Sequence, residues 1–328
     1  MFNTLEVAKD VHIHTRVTDQ FKTVNFSLKL RRPLKVEEAA ERTVLTNVLQ
    51  HSNAQFPSTA SMRMYLDDLY GTVLYLDTSK KGNEHVVILN VETVNDQYLK
   101  NSDVLSKVLE LMHTVLFEPN FENGTFKENI VAREKEIVKE RIQSIFDDKS
   151  RYAQNRLTKI LAPNHPASIS ANGTIPDVEA ITLQSLTDTY QRMLAEDVVD
   201  IYVVGDIDET KMVEELKKAL PFGDRKSSLT ITEIPKIQPT DTYVKEKQDM
   251  KQGKLHIGFS TPVFFKDVDF PKMQIFNGIF GGYPHSKLFM NVREKESMAY
   301  YCSSSYSAQY GLVYVMSGID VELSLIHI

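Results

Sequence analysis

The feature that most constrains this chain is a change of hydrophobic period between Leu30 and Val36. Over 11–17 and 22–30 apolar and polar residues alternate, as in strands with one buried face. From Val36 to His51 the spacing becomes helical. Ala40, Val44 and Val48 make one stripe, with Leu45 and Leu49 beside it. A chain that alternates between these periods must lay helices on a sheet. The pattern continues with helices expected over 60–70, 103–116, 126–146, 151–161, 182–194 and 209–220, and with strands over 73–78 and 85–92. The continuous apolar run 198–204 reads as a buried strand.

Pro221, Gly223, Pro235 and Pro239 then punctuate a polar stretch, the best linker in the chain. After it the pattern restarts: a strand at 255–260, a helix at 270–280, a Gly281-Gly282 break, a helix from Ser286, and strands at 298–305 and 312–316. Segments 61–79 and 286–304 each read as a short helix running into a strand with a Tyr and a Ser, a weak internal echo. The expected class is α+β, with a mainly antiparallel sheet and helices on one face in each of two homologous domains. The expected division is 1–220, a linker over 221–240, and a partial second domain over 241–322. Residues 323–328, including His327, resemble the translation of a sequencing adapter. The natural sequence is therefore expected to stop near Glu322 and to leave the second domain incomplete.

Composition narrows the function. The chain has 328 residues, 42% hydrophobic and 25% charged, with a net charge of −6. Neither nucleic acid nor an anionic membrane is expected as a partner. One cysteine, Cys302, suits a reducing compartment, so a cytoplasmic location is expected. No apolar stretch follows Met1 as a secretory signal would require, and no run reaches the length of a membrane span.

The chemistry is concentrated in Asn47-Val48-Leu49-Gln50-His51. On a helix, positions 47 and 51 lie one turn apart and point the same way, with 50 beside them. With His at 47 and Glu at 50 this would read His-x-x-Glu-His, two imidazoles for zinc and a carboxylate base for its water. Here two of the three are amides. An amide oxygen is a poor zinc donor beside imidazole, and Gln50 cannot accept a proton. A lost general base alone removes about 10²–10⁴-fold in rate. By itself His51 also reads as a helix-end histidine facing the helix dipole. His12 and His14 share one face of a strand and read as surface residues.

Four blocks in order carry a resemblance: the helix ending at His51; Arg133-Glu134-Lys135-Glu136-Ile137-Val138-Lys139-Glu140; His165-Pro166, Asn172-Gly173-Thr174, Tyr190 and Tyr202-Val203-Val204-Gly205-Asp206; and Gly281-Gly282 through Ser286-Lys287-Leu288-Phe289 to Val292-Arg293-Glu294-Lys295-Glu296-Ser297-Met298-Ala299-Tyr300. Together they resemble the insulinase/pitrilysin-like zinc metallopeptidase superfamily, whose members pair two homologous α+β domains. The chain is most similar to a bacterial metal-less subgroup, encoded beside a partner that keeps the metal motif. Some of its members are linked to modification of elongation factor P.

The resemblance implies the rest. Positions 47, 51 and 140 would be the zinc ligands and 50 the base. Asn47 and Gln50 are therefore degenerate, His51 and Glu140 are the residual metal candidates, and no cofactor is expected on this chain. Arg293 and Tyr300 would contact peptide, and the strands at 73–78 and 85–92 would offer a sheet edge to it. The expected function is a non-catalytic subunit that pairs with a zinc-binding homologue as a heterodimer and helps bind peptide substrate. The alternatives are an active zinc metalloendopeptidase with atypical ligands and a purely structural scaffold subunit.

Overall fold

The computed structural model describes residues 1–100, 103–226 and 233–320, and the fold is α+β. The proposed adapter segment 323–328 lies outside the described residues. Contacts divide the chain into two compact units: residues 1–140 with the chain from 170, and residues 141–169 with the chain from 232. The second unit thus takes in residues that a division at 221–240 leaves in the first. The reason is packing: Leu157 and Leu161 lie against the cluster of Tyr310, Leu312 and Tyr314.

The first unit is built on a six-stranded sheet in the order β1-β2-β8-β3-β5-β4. Its strands are β1 (Asn3–Ala8), β2 (Val11–Val17), β3 (Thr23–Pro33), β4 (Val73–Lys81), β5 (Glu84–Val94) and β8 (Val198–Gly205), with a small hairpin of β6 (Phe121–Glu122) and β7 (Thr125–Phe126) apart from them. All its neighbours are antiparallel except β2 and β8. In β3 the residues Val24, Phe26, Leu28 and Leu30 are fully buried, while Asn25, Ser27, Lys29 and Arg31 between them are half-buried. That is the signature of a sheet covered on one face. The helices that accompany it are α1 (Val36–His51), α2 (Thr59–Asp68), α3 (Val104–Phe117), most of α4 (Glu128–Asp147), α6 (Ile175–Ala180), α7 (Leu183–Glu196) and α8 (Glu209–Ala219).

The second unit holds α5 (Lys149–Leu161), α9 (Phe270–Asn277) and an antiparallel sheet β10 (Ala299–Ser307), β11 (Leu312–Asp320), β9 (Gln252–Ser260) in that order. Wider helical turns over Gly278–Gly282 and Phe289–Lys295, the second preceded by Leu288, bring Phe280, Leu288 and Val292 to a cluster with Ala299, Cys302, Val315 and Ile319.

In the first unit α1 is fixed by a buried charge. Arg42 is 1% exposed, and its Nη2 lies 2.7 Å from Asp197 Oδ2. Its Nε–H donates to His85 Nδ1 at 3.1 Å, and Nη2 also donates to the Leu30 carbonyl at 3.2 Å. His85 Nε2–H in turn donates to the Ala171 carbonyl at 3.0 Å, which Thr43 Oγ1 on α1 also reaches at 3.0 Å. Burial, and then the Arg42 charge, hold His85 neutral, with its pKa lowered to about 4.

The turn at Asn172-Gly173-Thr174 closes over the same helix. Gly173 has φ +69°, and a Cβ there would meet Ala40 Cβ at 2.6 Å and the α1 backbone at 3.0 Å. Gly173→Ala therefore combines left-handed strain with a clash against a helix that cannot retreat. The expected cost is about 2 kcal/mol or more. Chemical denaturation checks it, with Gly124→Ala, also at positive φ but with open space around it, as the comparison.

Candidate functional site

With α1 fixed, its last turn points three side chains in set directions. Asn47 is buried at 5% exposure. Gln50 turns toward β4, where its Oε1 accepts from the Leu76 backbone N–H at 2.7 Å. His51 turns toward α4, where its Nδ1 lies 2.9 Å from Glu134 Oε2.

Glu134 is at that place because α4 is amphipathic. Ile130, Val131, Glu134 and Val138 form its buried face. A carboxylate with no exposed surface needs partners. His51 supplies one, and Arg133 supplies Nε at 2.9 Å and Nη2 at 2.7 Å to Oε1. Burial works to raise the Glu134 pKa, but the hydrogen bond from His51, then the hydrogen bond and charge of Arg133, outweigh it and hold it below the ordinary 4.5.

These contacts form one consistent relay. The Leu76 N–H donates to Gln50 Oε1, so the Gln50 amide nitrogen is the end that approaches His51 Nε2, at 3.4 Å. A His51 protonated at Nδ1 donates to Glu134 and leaves Nε2 to accept from that amide. Both ring nitrogens are engaged.

The residues do not fit a zinc ion. A catalytic site needs about three protein donors and an open position. Two of the motif positions are neutral amides. The one imidazole is committed at both nitrogens, and the carboxylate beside it already carries a guanidinium. Glu140, the position expected for the third ligand, is exposed, and the carboxylate that reaches His51 is Glu134, about one and two-thirds turns earlier. Among the described residues no group of three or more His, Cys, Asp or Glu side chains is placed to hold a metal.

Glu134 went unnoticed in the sequence. Its signal was there: a charged residue in phase with Ile130, Val131 and Val138. The two residues expected to touch peptide belong to the second unit. Arg293 is exposed, with its guanidinium 4.6 Å from the centre of the Phe289 ring and 3.8 Å from Glu294. Tyr300, which begins β10 beside Ala299, is 65% exposed.

Fold and site together define a metallopeptidase-like chain whose turn at residues 47–51 is built from amides and hydrogen bonds. Residues 180–327 match the family described as "Peptidase M16 inactive domain". Over 312 residues the chain is 41% identical to "Probable inactive metalloprotease YmfF" of Bacillus subtilis (strain 168), covering 94% of this chain and 73% of that one. A conserved protein from Enterococcus faecalis V583 superposes with a TM-score of 0.90 at 35% identity, over 97% of this chain and 75% of that one. A peptidase M16 inactive domain from Pseudomonas fluorescens superposes at 0.79 with 17% identity, over 98% and 75%, and shares the fold. The chain belongs to the M16 peptidase family, the insulinase-like superfamily. Among the described residues no helix is long and apolar enough to cross a membrane.

The relay has a pH signature. A carboxylate whose folded pKa is depressed contributes stability above its unfolded pKa, near 4.5, and loses it as pH falls through the folded value. Glu134→Gln should therefore cost about 1–3 kcal/mol at pH 7. The difference from the parent should shrink as pH falls below 4.5. Urea titrations at pH 7 and at successively lower pH check it.

Proposed function

We propose that this chain is a catalytically silent peptide-binding subunit that pairs with a homologue carrying an intact His-x-x-Glu-His motif. The observation that carries the reading is the closed relay from Leu76 through Gln50 and His51 to Glu134, which occupies the turn where a metal site would be built. The likeness to a relative named as an inactive metalloprotease supports it. The zinc belongs to the partner. Arg293 and Tyr300 are exposed on this chain and offer a forked donor and a hydroxyl to a peptide backbone or carboxylate.

The test is co-expression with a neighbour-encoded His-x-x-Glu-His homologue, followed by cleavage of casein by each chain and by the pair. The expected outcome is co-purification, with cleavage by the pair and none by this chain alone. Arg293→Ala should lower kcat/KM of the pair on the order of tenfold. Stoichiometric zinc and casein cleavage by this chain alone would contradict the proposal. An unchanged pair activity in the Arg293 variant would remove that residue's role.

A further inference from the structure

If peptide lies along a sheet edge of this chain, β4 is where the first unit offers one. β4 is the outermost strand and pairs with β5 on one side only. Along such a strand alternate residues turn their N–H and C=O groups away from the neighbour. The Leu76 N–H sets the phase, because it is bonded to Gln50 Oε1. Leu74, Leu76 and Thr78 therefore present their backbone groups at the outer edge. The Thr78 N–H is also satisfied from within, by Asp77 Oδ1 at 2.8 Å. Two consecutive outward donors are thus capped by side chains of the same unit, one from α1 and one from the strand itself.

We propose that Gln50 and Asp77 close the outer edge of β4 against strand addition, and that Gln50 is the cap a peptide displaces. The Gln50 Oε1 stands where the carbonyl oxygen of an added strand would accept from Leu76. Displacing it costs one hydrogen bond and opens the relay to His51. The Asp77 cap is local and turns with its own residue.

The outer edge also limits what can dock. Val73 and Tyr75 are 54% and 47% exposed on the sheet face turned away from Leu76, and the Tyr75 hydroxyl accepts from Asn90 Nδ2 at 2.7 Å. An added strand would set every second side chain beside them. The fitting partner is an extended peptide with β-branched or aromatic residues at alternate positions. The capping contact stands on the geometry alone, whereas its role in peptide entry rests on the function proposed above.

Amide hydrogen exchange by NMR reads the cap, and fluorescence anisotropy of a labelled heptapeptide of alternating Thr and Val reads the edge. Gln50→Met keeps the volume and removes the acceptor, while Gln50→Glu keeps an acceptor. In Gln50→Met, exchange at Leu76 should accelerate on the order of tenfold while Thr78 stays protected. Gln50→Glu should keep Leu76 protected. Asp77→Ala should expose Thr78 alone. The heptapeptide should bind Gln50→Met about fivefold tighter than the parent, the worth of one net hydrogen bond. Unchanged Leu76 exchange in Gln50→Met overturns the cap. Faster exchange with no gain in peptide binding overturns the gating of the edge and counts against the peptide-binding reading, while the capping contact stands.

Discussion

The arrangement of the first unit depends on one buried ion pair, Arg42 with Asp197. Removing Asp197 would strand the Arg42 charge in the core, at a typical cost of about 3–5 kcal/mol. The guanidinium also joins β3 through the Leu30 carbonyl and β5 through His85. Arg42 therefore sets both the position of α1 over the sheet and its rotation. Once rotation is set, the helical period decides the rest. Ala40 and Thr43 come under the turn at 171–173, Gln50 faces β4, and His51 faces α4.

That geometry explains how the turn at 47–51 keeps its shape with no metal to hold it. Gln50 and His51 are half-buried, and a polar group shielded from water favours a partner. Gln50 meets this by bridging a backbone donor and an imidazole, and His51 by joining that amide to the Glu134 carboxylate. The turn is a structural joint between β4, α1 and α4. Its hydrogen bonds run in one consistent direction, from an edge-strand donor to a carboxylate that also accepts from Arg133.

Much of this was legible in the sequence. The helix α1 spans Val36–His51 as its period indicates, and β2, β4, β5 and β8 fall within a few residues of the alternating or apolar runs that announce them. β1 was not anticipated, because an edge strand with mostly exposed residues carries little burial pattern. The short α6 was missed as well, although its capping box, Thr174 with Asp177, is a local signal. α5 was legible as a helix, but not the unit it belongs to: Gly258 lies against Leu157 and Leu161, a contact far apart in sequence. The site was half legible. The amides at 47 and 50 announce a degenerate motif. That His51 meets Glu134 rather than Glu140 depends on which face of α4 is buried.

The central claim is that His51 is held by Gln50 and Glu134 rather than kept for a metal. Long-range ¹H–¹⁵N correlation spectra of the His51 ring test it most directly. The account predicts a proton on Nδ1, a bare Nε2, and no change on adding equimolar zinc. A 1:1 zinc-dependent shift of the His51 nitrogens, with loss of the Nδ1 proton's bond to Glu134, would contradict it.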